Sequence, residues 1–156
     1  MLDINIDIRG QIDVVKELTK EVASITSLVS KEAQVGIFED RSDRDDGKSN
    51  AEIGVAHEFG VPQRGLPQRS FLRQPIIDGS FESMLDNKEI EINKNLLSEL
   101  ATMYLKAVKE EFESNGKGAW MTLSDSTSRR KNKNRDEILR DTKQLYKSLS
   151  KRVVKK

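Results

Sequence analysis

The chain has 156 residues, of which 35% are apolar and 34% are charged, so it has room for one domain with a thin core. It contains no cysteine, which excludes disulfides, thiol catalysis and cysteine-ligated metal sites. Its single histidine excludes a two-histidine metal site. No stretch approaches the roughly 20 apolar residues of a membrane span, and no basic segment precedes an apolar run as in a signal peptide.

The charge is unevenly distributed. Residues 1–128 hold 15 Lys/Arg and 23 Asp/Glu, a net charge of −8, whereas residues 129–156 hold 12 Lys/Arg and three acidic residues, a net charge of +9. A basic tail on an acidic body is typical of contact with nucleic acid or with the body of a neighbouring subunit. The alternative is a solvated basic segment that has no partner.

The spacing of the apolar residues changes within the first 40 residues. Residues 2–8 alternate between apolar and polar side chains, which predicts a strand ending at Gly10. Residues 11–30 then have helical spacing, and residues 33–38 read as a second short strand. The helical stripe consists of Ile12, Val15, Leu18, Val22, Ile25 and Leu28 or Val29.

The middle of the chain alternates between loops and helices. Residues 39–50 are charged and predict a flexible surface loop. The capping box from Ser49 to Glu52 predicts a helix that ends at Gly60. Its predicted apolar face is Ile53, Ala56 and Phe59. An extended loop with Pro62 follows.

Residues 71–84 read as an irregular helical stretch with Pro75 in its first turn. The pair Asp86 and Glu89 predicts the cap of a long helix over 88–114. Its predicted stripe is Leu97, Leu100 or Ala101, Tyr104, Val108 and Phe112, and Asn115-Gly116 ends it.

The C-terminal part has weaker patterns. Residues 120–136 read as loop with a short helix from Asp125, residues 136–150 return to helical spacing, and residues 151–156 form an edge strand or a frayed tail. The predicted fold class is α+β: a small antiparallel sheet packed against two long helices, with a flexible charged loop. The predicted domains are an α+β core over 1–118 and a basic extension over 119–156, which packs on the core or on a neighbouring subunit.

The sequence carries no recognisable catalytic constellation. It has no glycine-rich phosphate loop, and the acidic loop lacks the ligand spacing of an EF-hand. His57 and Glu58 are adjacent in a predicted helix and so do not face each other as a base and its orienting group would, and His57 is interpreted as structural. We therefore expect no enzymatic activity, no cofactor and no metal.

Seven residues are candidates for interactions: His57, Phe59, Arg64, Arg69, Phe71, Arg73 and Trp120. Phe59 stands at a helix end, and Phe71 is expected to return the loop to the body. The three arginines are expected to project from a proline-stiffened loop toward carboxylates of a partner; the alternative is that they are merely solvated. Trp120 is either a clamp within the chain or an anchor between subunits.

Two blocks of motifs resemble a known family. The first is AEIGVAHEFG at residues 51–60, followed by LPQRSFLR at residues 66–73. The second block consists of WMTLS at 120–124, Thr127, Lys131, ILRDT at 138–142 and Leu145. In this order they resemble the tail-completion or virion-morphogenesis proteins of tailed bacteriophages. Three positions depart from the family pattern: Ser70 and Thr122 replace prolines, and Lys143 replaces a glycine.

The resemblance implies a structural virion protein that forms a ring, expected to be hexameric, at the neck between head and tail. The implied partners are other copies of the chain, the tail-tube or tail-terminator protein and the head connector, with non-specific contact to genomic DNA and none to membrane. The implied location is the virion neck, and the host cytoplasm during assembly.

The isolated protein is expected to be a monomer, because the composition suggests no spare apolar patch. The alternative function is a nucleic-acid-binding module that uses the basic tail over 129–156. Against it, that tail has Tyr146 as its only aromatic residue, and the acidic body would repel phosphates.

Overall fold

The computed structural model describes residues 8–38, 49–131, 137–140 and 142–156. The predicted strand over 2–8 therefore lies outside the described residues except for Ile8, and the predicted charged loop lies outside them except at its end. Ile8 does not belong to a strand, because helix α1 begins there and runs over Ile8–Val29. Gly10 lies inside α1 rather than before it; a single glycine costs a helix only about 1 kcal/mol.

The apolar stripe of α1 faces outward. Its side chains at positions 15, 18, 22, 25 and 29 are between 48% and 67% exposed. α1 contacts the strand that follows it. The helix that packs against both strands of the sheet is α5, over Leu96–Glu113. The stripe of α1 is therefore an apolar surface without a partner among the described residues.

The sheet has two antiparallel strands in the described part of the chain, β1 over Lys31–Ile37 and β2 over Leu149–Lys155. Their register places Lys31 opposite Lys155 and Ile37 opposite Leu149. β1 confirms the second predicted strand, and β2 confirms the C-terminal edge strand, which also begins earlier than predicted. The predicted fold class, α+β with a small antiparallel sheet packed against helices, is confirmed.

Short helices make up most of the remaining regular structure. The structure places them at α2 (Asn50–Phe59), α3 (Gln74–Ile77), α4 (Ser80–Asp86), α6 (Asp125–Arg130) and α7 (Gln144–Ser148). Ser49 caps α2 as predicted, with its Oγ accepting the Glu52 N–H at 3.4 Å. Pro75 lies in the first turn of α3, also as predicted.

The strongest predicted helix is shorter than expected. Asp86 ends α4 instead of capping a new helix, and α5 begins only at Leu96. The side chain of Asn93 accepts the Asn95 N–H at 2.8 Å, which forms a local turn immediately before α5. The other end is as predicted, since Asn115 has a left-handed φ of 52°.

The helical prediction over 136–150 is wrong for its first half. Leu139 has a φ of 60° and Lys143 a φ of 59°, and neither value is compatible with a right-handed helix. Among the described residues of this stretch, those of α7 are the helical ones. Lys143 is thus in a left-handed conformation, which glycine adopts more readily than lysine.

Replacing Lys143 by glycine is therefore expected to stabilise the protein. Glycine adopts positive φ without the steric cost of a side chain, so we expect the free energy of unfolding to rise by about 0.5–1 kcal/mol. Lys147→Gly, inside α7, is the matched control and should lower stability by about 1 kcal/mol. Urea denaturation measures both changes, and a loss of stability in the Lys143 variant would contradict the backbone assignment.

One hydrophobic core joins the N-terminal part and the C-terminal segment. Its buried residues are Phe71, Val108, Phe112, Trp120, Ile138, Leu145 and Leu149. The ring centroids of Phe71 and Phe112 are 4.8 Å apart. Four of the seven come from the segment after residue 118, so this segment packs on the core of its own chain.

Candidate interaction site

The carboxylate of Glu58, which ends the buried face of α2, organises the loop that follows. It is 3% exposed and accepts hydrogen bonds from the Ser70 hydroxyl at 2.6 Å and from the backbone N–H groups of Phe71, Leu72 and Arg73 at 2.8, 2.9 and 3.2 Å. The Arg73 Nε donates to the same carboxylate at 2.9 Å. We refer to Glu58 and residues 70–73 as the Glu58 cluster.

The hydrogen bonds keep Glu58 ionised. Burial alone would raise the pKa of this carboxyl group, but the bonds from Ser70, Leu72, Arg73 and Phe71 together lower it below its usual value. The Ser70 hydroxyl supplies the shortest of these hydrogen bonds to Glu58. Glu58, which belongs to the first motif block, therefore holds residues 70–73 in place within the same chain.

Arg73 is bound within the chain on two sides. Besides the ion pair with Glu58, its guanidinium donates to the Glu58 carbonyl at 3.2 Å and lies 4.6 Å from the ring centroid of Phe59. Phe59 is 59% exposed, so it is not buried at the helix end. The Phe59–Arg73 stack is a surface feature on the outer side of α2.

Trp120 connects the second motif block to the first. It is 5% exposed, its indole N–H donates to the Ser70 carbonyl at 3.0 Å, and its ring packs edge-on against Phe112 at 5.8 Å. Of the two predicted roles, the structure shows the clamp within the chain.

Arg69 points inward, which corrects the expectation that all three arginines project toward a partner. It is 6% exposed, and its guanidinium donates to the Met121 carbonyl at 3.2 Å. Its backbone N–H donates to the His57 carbonyl at 2.7 Å, which draws the loop back over α2. Burial lowers the pKa of Arg69 from its usual value. Arg64, in the turn over Pro62–Arg64, is exposed as predicted.

A cavity of about 470 Å³ lies where the two blocks meet. Its polar wall includes His57, Arg69 and Lys131. Its apolar wall includes Ile53, Leu66, Met121, Leu123, Leu139 and Leu145. The site therefore brings His57 and Arg69 together with the second block, while Phe71 and Trp120 pack in the core and Phe59, Arg64 and Arg73 do not line the cavity.

His57 is neutral at physiological pH. Burial, with a smaller contribution from the charge of Arg69, lowers its pKa from 6.5 to about 4. Its Nδ1 atom is buried and has no hydrogen-bond partner in the described part of the chain. Such a histidine is a poor candidate for a base that works near pH 7.

The low pKa of His57 predicts an acid-sensitive fold. Because the unfolded histidine binds a proton near pH 6.5 and the folded one only near pH 4, stability is fully present above pH 6.5 and falls as the pH drops through this window. The expected loss is on the order of 2–3 kcal/mol.

Urea denaturation at pH 7, 6 and 5 measures this loss, and His57→Gln should abolish most of it. Glu58 does not interfere in this range, because its lowered pKa makes its own contribution disappear only below about pH 4.5. Equal pH dependence in wild type and variant would contradict the assignment.

Sequence reasoning missed the central residue, Glu58. A carboxylate in the last turn of a helix is unfavourable next to the negative end of the helix dipole, and this was the available signal that Glu58 has a specific partner. The partners themselves lie 12 to 15 residues further along the chain. Met121 and Leu123, which also line the cavity, carried no separate signal.

Neither a metal centre nor a membrane span is found in the described ranges. These residues contain no group of three or more His, Asp or Glu side chains placed to hold a metal ion. None of their helices is both long enough and apolar enough to cross a bilayer.

Comparison with known proteins gives no match: no protein-family model, no curated protein and no solved structure is significantly similar to this chain.

Proposed function

We propose that this protein is a structural component of a tailed-phage virion, which completes the tail or joins it to the head as a ring of copies at the neck. The observation that supports this proposal is the contact between the two motif blocks. A hydrogen bond joins Trp120 to Ser70, 50 residues away in the sequence, and another joins Arg69 to Met121, 52 residues away. The two blocks thus form one structural unit. This is expected if both blocks derive from one phage protein family and not if each resembles that family by chance.

A ring needs surface for contact between copies. The expectation of a monomer depended on the absence of a spare apolar patch, and the exposed stripe of α1 removes that ground. We assign the stripe to contacts between copies in the ring. The exposed Arg64 and the Phe59–Arg73 stack are assigned to the tail-tube or terminator protein and the head connector.

The alternative, a nucleic-acid-binding module, has less support in the described part of the tail. Lys151 Nζ donates to the Ser98 carbonyl at 2.9 Å and also contacts Thr102, while the Arg152 guanidinium lies 4.0 Å from the ring centroid of Phe38. These cations are already engaged within the chain. A steep fall of DNA affinity with salt would favour the alternative.

Complementation of a phage that lacks the gene tests the proposal. We expect the deletion to leave unjoined heads and tails in electron micrographs, and wild-type protein to restore virions. Arg64→Glu should fold normally but fail to restore joining, because the exposed charge is reversed at a contact. Lys106→Glu, on the exposed side of α5, is the matched control and should restore it. Normal virions without the gene would contradict the proposal.

A further inference from the structure

Arg69 is a buried cation that has no counter-ion in the described part of the chain. No ion pair joins it to an acidic side chain of the described residues, and its Nε atom is buried without a hydrogen-bond partner. A buried, uncompensated charge is costly, because the protein interior replaces water poorly. Such a group is stabilised when an anion reaches it.

The cavity beside Arg69 suits a particular kind of anion. His57 adds an unpartnered ring nitrogen but no charge at neutral pH, and much of the wall is apolar. The wall also holds a second cation, Lys131, whose Nζ donates to the Glu137 carbonyl, whereas the Nε of Arg69 has no acceptor among the described residues. An anion is therefore expected at Arg69, and a carboxylate attached to an apolar body matches both this guanidinium and the apolar lining.

The geometry points to the cavity between the two motif blocks as a binding site for a carboxylate carried by a protein segment, with Arg69 as its charged partner and His57 as a neighbouring polar contact. The carboxylate belongs to an acidic side chain or to a chain terminus with apolar neighbours. That its carrier is another virion protein depends on the proposed function, whereas the carboxylate preference of the cavity does not.

The test is a titration of the full-length, nitrogen-15-labelled protein, followed through the Arg69 Nε–H resonance by nuclear magnetic resonance. The probes are a Leu-Glu-Leu tripeptide blocked at both ends, the same peptide with Gln in place of Glu, a Leu-Gln-Leu peptide with a free C-terminal carboxylate, and inorganic phosphate. We expect a saturable shift with a carboxylate peptide and none with the blocked Gln peptide. The response to the first or the third peptide identifies the carboxylate as a side chain or a chain terminus.

Variants assign the binding to Arg69. Arg69→Met, which keeps most of the side-chain volume, should weaken carboxylate binding at least about tenfold. Lys106→Met, which removes an exposed cation on α5 outside the cavity, should leave it unchanged. If Arg69→Met does not fold, the wild-type titration still decides. Equal shifts with the Glu and Gln peptides, binding of phosphate alone, or no saturable shift would overturn the inference. None of these results bears on complementation, so the two proposals fail separately.

Discussion

Replacing Glu58 by glutamine is expected to lower the free energy of unfolding by about 3–5 kcal/mol. The carboxylate accepts five hydrogen bonds while it is almost fully buried, and one of them belongs to an ion pair with Arg73. Glutamine removes the charge and turns an NH₂ group toward N–H and O–H donors. Donors at 70–73 are then left without an acceptor, and the only bonds that the loop keeps to α2 are those to its backbone carbonyl groups.

Urea denaturation monitored by Trp120 fluorescence measures this effect, because the indole is bound to the same loop. Glu52→Gln is the matched control: it makes the same chemical change on an exposed side chain of the same helix and should cost less than about 0.5 kcal/mol. Similar stabilities for the two variants would show that the Glu58 cluster does not hold the loop.

Replacing Gly116 by alanine is expected to cost about 2–4 kcal/mol through two separate effects. Gly116 has a φ of 73°, which disfavours any side chain by about 1 kcal/mol. In addition, a Cβ atom at this position would lie 2.4 Å from the Trp120 ring, and the indole cannot move without losing its contacts with Phe112 and Ser70. Overpacking of this kind typically costs 1–3 kcal/mol.

Gly118→Ala separates the two effects. Gly118 has a φ of 84°, but a Cβ atom there would meet nothing within 4 Å, so this variant should show the backbone cost alone. Thermal unfolding of both variants gives the difference, which reports on the packing of Trp120. If Gly118→Ala were as destabilising as Gly116→Ala, the close packing of the indole on Gly116 would be wrong.

The sequence predicts helices and strands best where local signals are strong. The cap at Ser49, the end of α5 before Gly116 and the short strand β1 each depend on a few neighbouring residues, and each is found. The start of α5 was misplaced because Asp86 and Glu89 have capping-box spacing that the chain does not use. The bend after Ile138 was missed because leucine and lysine rarely adopt a positive φ, so Leu139 and Lys143 gave no indication of it.

The buried face of α2 shows why local patterns fail at the site. Apolar spacing predicts a buried face through Ile53, Ala56 and Phe59. In the structure Ile53 and Ala56 are half-buried and Phe59 is exposed, whereas the fully buried residues are Asn50, Gly54 and Glu58. Gly54 lets the Ile37 side chain approach α2 closely. A Cβ atom added at Gly54 would lie only 2.9 Å from the Cδ1 atom of Ile37. Glu58 is stable inside because its donors come from the loop over 70–73, which no helical period can reveal.

For the candidate interaction residues, the sequence did not predict reliably which side chains point into the protein and which point outward. Phe71 returns to the core as expected, and Arg64 is exposed. The sequence suggests that Arg69 and Arg73 project like Arg64, yet Arg69 lines a cavity and Arg73 pairs with Glu58. The orientations of these side chains depend on how the loop folds back on α2 and on the second block. Tertiary contacts therefore set them, and the local sequence does not show them.

The location of the protein in purified virions tests the virion role most directly. Immunogold labelling with an antibody against this chain, viewed by electron microscopy, shows where it lies in the particle. The proposed function predicts gold at the neck, between the head and the tail, and none on particles from a strain that lacks the gene. Absence of the protein from purified virions, or labelling of the capsid surface or the tail tip alone, would contradict a role in joining tail to head.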